Sequence, residues 1–144
     1  MNHPFTKKQT VIFSISLVIS MIGFKLLFAN FWNKNSSFED LLQSTANDIN
    51  RNCPQTIDKD TRLDNVAVFP NKRFQYNYSV IAYSASEIDI QVLEKNLYPV
   101  ILNSIKSNPD MKLFRDHDVT LVYSYRDRMG NYIFSMEFKP SDYK

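Results

Sequence analysis

The sequence is poor in the residues that most recognisable chemistry requires. It has two glycines, Gly23 and Gly130, in 144 residues. That excludes a phosphate-cradling glycine loop of the dinucleotide or P-loop type. A single cysteine, Cys53, rules out an intrachain disulfide, and with two histidines it excludes a Cys/His structural zinc site. Charge of either sign is also scarce as a net quantity: 17 Lys or Arg oppose 15 Asp or Glu. Three of the basic residues, Lys7, Lys8 and Lys25, fall in the first 32 positions, where there is no acid. The remainder then holds 14 basic and 15 acidic groups. No concentrated basic face remains, so nucleic acid is not expected as a partner. Apolar content, at 44%, is ordinary and sufficient for a folded domain.

What is present is a long apolar run. Residues 11–32 read VIFSISLVISMIGFKLLFANFW, with Lys25 as the one charge. A bilayer core needs about 20 such residues in a helix, and backbone groups in lipid must pair within the segment. The run is therefore expected to be a transmembrane helix in contact with membrane lipid. Lys25 would snorkel to the interface, and Phe28, Phe31 and Trp32 would form its aromatic belt. Lys7 and Lys8 precede the run, whereas Lys34 is followed by Glu39 and Asp40. The positive-inside tendency then makes residues 1–10 cytoplasmic, 33–36 a connector and 37–144 an extracytoplasmic domain in the periplasm or outside the cell. A cleaved signal peptide is the competing reading. Against it, the best cleavage candidate, Leu27-Phe28-Ala29, carries a bulky residue where a small one is wanted, and no lipoprotein cysteine follows.

The outer domain reads as α-β-β-α-α-β-β. Ser36 and Glu39 have capping-box spacing, and Phe38, Leu41, Leu42, Thr45, Ala46 and Ile49 recur on one helical face. Asn52-Cys53-Pro54 stops that helix, and residues 54–64 read as a polar, turn-rich stretch. Asn65–Phe69 and Arg73–Tyr83 read as strands around a Pro70-Asn71 turn. Phe74, Tyr76, Tyr78, Val80 and Ala82 fall on one face of the second. Ser84 and Glu87 open a second helix, with a stripe of Ile90, Leu93, Leu97, Val100, Ile101 and Ile105 and an expected kink at Pro99. A short helix from Asn108-Pro109-Asp110 to about Arg115 follows. Two more strands, Val119–Arg126 and Tyr132–Lys139, flank a turn at Asp127 to Gly130. Two hairpins separated by helix predict a four-stranded antiparallel sheet, helices on one face, in an α+β domain. The other face is rich in hydroxyls and amides (Gln75, Asn77, Ser79, Thr120, Ser124, Ser135) and is expected to be wet.

Asn52-Cys53-Pro54, Ile57-Asp58 and the stretch from Thr61-Arg62-Leu63-Asp64 to Val66 form a motif of the type NCP…D..TRLD.V. FQYNYSV, Asn108-Pro109-Asp110 and VTLVYSYRD accompany it. Over roughly residues 46–139 the sequence thus resembles a group of small bacterial proteins of uncharacterised function that often carry an N-terminal apolar segment. The resemblance implies a shared α+β domain and no particular activity.

Few residues suggest chemistry. Cys53, His117 and a neighbouring aspartate, Asp116 or Asp118, have the composition of a thiol triad, although a lone cysteine is ordinarily a small buried hydrophobe. Asp58, Asp60, Arg62 and Asp64 alternate as oxygen ligands do in calcium loops, but Arg62 takes a ligand position and no glycine supplies the turn. An Arg–carboxylate network, or a partner-binding loop, is the expected role. Arg126 and Arg128 flank Asp127 at a hairpin tip, where arginines can grip carboxylates or phosphates. The tyrosines at 76, 78, 123 and 125 alternate within strands as core residues do, whereas Tyr83 and Tyr98 are expected to be the more exposed. No metal or cofactor is expected. The composite expectation is a single-pass, membrane-anchored, non-enzymatic binding or accessory module with a protein partner in the cell envelope. The alternatives are a small extracytoplasmic enzyme using Cys53 and His117, or a cleaved secreted domain.

Overall fold

The computed structural model describes residues 37–144. The expected transmembrane helix at 11–32, the cytoplasmic segment 1–10 and the connector 33–36 lie outside the described residues. Among the described residues no helix is long and apolar enough to cross a membrane.

Helix α1 spans Phe38–Asn50 and begins at a capping box one residue later than its sequence spacing suggests. Ser37 Oγ accepts from Asp40 N, and Asp40 Oδ2 accepts from Ser37 N. A two-residue strand β1 (Gln55–Thr56) follows, then β2 (Thr61–Phe69) and β3 (Arg73–Val80). The β2–β3 turn places Asn71 and Lys72 in the left-handed region. The Ser84–Glu87 box caps only a 3-10 turn (Ala85–Glu87). The long helix α2 (Ile90–Ser107) has its own cap, Asp89 Oδ1 accepting from Val92 N. A 3-10 turn at Pro109–Met111, the short helix α3 (Lys112–Asp116), strands β4 (Thr120–Asp127) and β5 (Tyr132–Phe138), and a final turn of helix α4 (Pro140–Tyr143) complete the chain.

The sheet differs from the expected four antiparallel strands. It has five, in the order β1-β2-β3-β4-β5, and the central β3–β4 pair is parallel. It is therefore a mixed sheet. The reason lies in the length of α2. Eighteen helical residues rise about 27 Å, which nearly matches the roughly 26 Å of an eight-residue strand. The helix carries the chain back to the end where β3 began, so β4 runs in the same sense. Alternating side chains look alike in parallel and antiparallel strands, and the pattern carries no information on sense. Strand β2 also starts four residues earlier than its apolar content suggests. Its first residues are Thr61-Arg62-Leu63-Asp64, and a bulge between Leu63 and Asn65 interrupts the alternation.

One core lies between the sheet and the helices. Leu42 and Ala46 of α1 and Leu93, Leu97, Ile101 and Ile105 of α2 pack with Phe74, Tyr76, Tyr78, Leu121, Tyr123, Tyr125 and Phe138. Ile90, expected in the stripe, is exposed, and α2 runs through Pro99 as a single helix. The aromatic rings form a continuous series: Tyr76 stacks on Tyr123 at 5.1 Å, Tyr78 on Tyr125 at 5.2 Å, and Tyr125 on Phe134 at 4.9 Å. Burial raises all four tyrosine phenols, which stay neutral as core residues must. Tyr98 is partly exposed against Phe138, and Tyr132 is more exposed still.

Candidate functional site

The six residues singled out from sequence all lie at one end of the sheet. The register sets Thr61 opposite Val80, and Val80 opposite Asp127. The start of β2 and the end of β4 therefore meet across β3, although they are more than sixty positions apart in the chain. Three of the six share the outer face, and the other three lie in turns beyond the strand ends.

Arg62 faces Ser79, Ser79 faces Arg126, and Arg126 faces Tyr132. This row crosses the outer face, opposite the core-facing side chains of the same strands; Arg126 and Tyr132 in it are exposed and Ser79 is buried. Asp64, at the bulge, joins two members of the row, Arg62 and Ser79. Its carboxylate accepts from Arg62 Nε at 2.5 Å and from Ser79 Oγ at 2.5 Å. Such charge-assisted pairs fix side chains in place. Next to the row, Asn77 bridges Asn65 and Gln75, and farther along the face Arg73 pairs with Glu137. The outer face is the polar one that the alternation implied.

Arg128 does not join this row. It lies at the hairpin tip, 3.7 Å from Glu87, and its N–H donates to Tyr83 O. Arg126 reaches back along the hairpin, Nη1 donating to Gly130 O at 3.0 Å. Asp58 and Asp60 lie in the turn between β1 and β2. The Asp58 carboxylate accepts from Asp60 N at 2.7 Å, and Asp60 O accepts from Ile81 N at 2.8 Å. The alternating quartet is thus divided: Arg62 and Asp64 serve the outer face, and Asp58 and Asp60 order the turn. Among the described residues no three His, Cys, Asp or Glu side chains gather as a metal cluster.

Cys53 and His117 are not brought together. His117 stacks on Phe38 with ring centroids 4.1 Å apart, at the start of α1. Cys53 follows the end of α1 and packs against the core there. The 13-residue helix separates the two by about 20 Å. Burial pushes the Cys53 thiol up, and the nearby Asp64 carboxylate pushes it further. Both act against thiolate formation. The Cys53–Pro54 peptide is cis.

Two residues not singled out from sequence organise this end of the fold. Asp127 is buried at the end of β4, where it accepts from Ala85 N (3.0 Å), Met129 N (2.9 Å), Asn131 N (2.8 Å) and Asn131 Nδ2 (3.2 Å). Burial pushes its carboxyl up, but these four donors outweigh burial and hold it below the usual range. It thereby joins the β4–β5 hairpin to the segment after β3. Asn50, the last residue of α1, donates from Nδ2 to Val66 O (2.9 Å) and accepts at Oδ1 from Val66 N (2.8 Å). The Asp-x-x-Gly spacing of 127–130 was a legible signal for the first. Nothing local to Asn50 marked the second.

No curated protein matches this chain. Among solved structures, one from Pseudomonas aeruginosa, described as a "putative secreted protein", superimposes with a TM-score of 0.58 at 17% identity. The aligned part covers 76% of this chain and 100% of that one. A likeness at that identity shows a shared fold. Residues 37–134 match the family model described as a domain of unknown function, DUF8479, and the chain belongs to that family.

Proposed function

We propose that this chain is a membrane-anchored, non-enzymatic binding module. Its α+β domain faces the periplasm or the exterior and serves as an accessory subunit of an envelope complex. The observation that carries this reading is the outer face of the sheet. In its row Asp64 holds Arg62 and the buried Ser79 in place, and Arg126 and Tyr132 beside them are exposed. Arginine and tyrosine are the side chains over-represented where protein surfaces meet. The apolar run 11–32 with its preceding lysines supports the anchor. The separation of Cys53 from His117 takes away support for a thiol enzyme.

In-cell crosslinking of the full-length chain, followed by gentle extraction, tests this reading. A defined heteromeric species is expected, and Arg62→Glu with Arg126→Glu should abolish it while the chain still accumulates. A heteromer indifferent to both substitutions removes the outer face from the argument. Absence of any heteromer refutes the accessory role. A second reading, a cleaved secreted domain, draws support from the description of the Pseudomonas aeruginosa protein with the same fold. The mass of the mature chain distinguishes the two.

A further inference from the structure

The turn between β1 and β2 leaves three oxygens without partners. Its backbone is well tied: Ile57 N and Asp58 N both donate to Thr61 O (2.9 and 3.3 Å), and Asp60 O accepts from Ile81 N. Asp58 Oδ1 takes the Asp60 N–H. The other three side-chain oxygens of the turn, Asp58 Oδ2, Asp60 Oδ2 and Thr61 Oγ1, are closed off from water and meet no hydrogen-bonding group. Asp60 is only 4% exposed and Thr61 2%. Lys59 Nζ lies 3.6 Å from Asp60 Oδ2 and is itself largely exposed. That distance is too long for a hydrogen bond.

Buried carboxylate oxygens are unfavourable unless something neutralises or coordinates them. Other acids at this end of the sheet cannot help, since Asp64 is engaged by Arg62 and Ser79 and Asp127 by four donors. We propose that Asp58, Asp60 and Thr61 bind a hard divalent cation, Ca²⁺, through these three oxygens. Ca²⁺ takes carboxylate, hydroxyl and carbonyl oxygens at roughly 2.3–2.6 Å in a flexible geometry, which suits this set of donors. Magnesium prefers to keep several of its waters, which this closed turn does not admit. Backbone carbonyls of the turn would complete the shell. Two carboxylates make a weak site, on the order of 10⁻⁴–10⁻³ M, the range of extracellular modules. The bound ion would brace the start of β2, one residue from Arg62. The site does not depend on the outer face being a docking surface, and its test reads a different quantity.

The test uses the full chain in mild detergent, stripped with a chelator and titrated with CaCl₂. A thermal-unfolding midpoint that rises and saturates is expected. So is tyrosine-sensitised Tb³⁺ emission that Ca²⁺ displaces, because the Asp58 charge is felt at Tyr125. Asp60→Asn and Thr61→Val should each weaken binding by at least about tenfold. The threonine variant keeps the side-chain shape, so it decides the matter even if Asp60→Asn does not fold. Absence of any Ca²⁺-dependent shift or Tb³⁺ emission in the unaltered chain overturns the proposal. Variants that bind as the unaltered chain does, or an equal response to Mg²⁺, also overturn it.

Discussion

Asn50 joins α1 to an otherwise open part of the sheet. Strand β1 pairs with β2 only at Leu63 and Arg62. Beyond that point, among the described residues, no strand lies beside the outer edge of β2. The Asn50 amide takes that place for one residue, accepting from Val66 N and donating to Val66 O. Val66 is 3% exposed, so its backbone groups have little access to water if the amide is removed. Leaving a buried donor or acceptor unsatisfied costs about 1–3 kcal/mol for each group. Alanine at the end of a helix recovers a few tenths of a kcal/mol in propensity. Asn50→Ala should therefore destabilise the domain by about 2–5 kcal/mol, a large part of the roughly 5–15 kcal/mol typical of a domain. Urea denaturation is the assay, with the midpoint falling and the slope m unchanged. Asn47→Ala, on the exposed face of the same helix and bonded only to Gln43, should stay within about 0.5 kcal/mol. If the two alanine variants are equally stable, the amide is not holding the strand edge and the reasoning fails.

Three further predictions follow from the same end of the fold. The folded-state carboxyl of Asp127 is depressed, so its stabilisation is present above the ordinary aspartate value near 3.9 and is lost as pH falls through the lower folded value. Asp127→Asn should lower the urea midpoint at neutral pH and flatten its decline over that acid range. Curves that stay parallel would contradict the assignment. Gly130 has φ +85° with open space where a Cβ would lie, so Gly130→Ala should cost about 1 kcal/mol from backbone strain alone. A neutral result would show that the turn relaxes. The raised thiol of Cys53 predicts alkylation slower in the folded chain than in the urea-unfolded chain at neutral pH. A folded rate matching or exceeding the unfolded one would revive the nucleophile.

Much of the fold was legible because it rests on local periodicity. The stripes Leu42/Ala46 and Leu93/Leu97/Ile101/Ile105 recur at helical spacing. Phe74/Tyr76/Tyr78 and Leu121/Tyr123/Tyr125 alternate at strand spacing, and all of them are buried. The polar outer face followed from the same alternation, but Ser79 and Ser124 on it are buried rather than wet. Where a polar face meets a bulge, the signal weakens: Thr61 to Asp64 read as loop because two of its four side chains point outward and the alternation breaks at Asn65. The first capping box was readable to within a residue, whereas the Ser84–Glu87 box caps a 3-10 turn and the long helix begins only after Asp89.

The sequence by itself determined most of the core stripes and the helical segments, although Ile90 of the expected stripe is exposed and Ser79 and Ser124 of the expected wet face are buried. These are properties of neighbours within a turn or two. The tertiary structure alone decided that β4 runs parallel to β3, because the sense of a strand depends on how far the intervening helix carries the chain. It alone placed Arg126 beside Arg62 across Ser79, separated Cys53 from His117 by the length of α1, and turned Asp58 and Asp60 away from Arg62 and Asp64. Those outcomes depend on strand register and on distances across the sheet, which residues near one another in sequence do not encode.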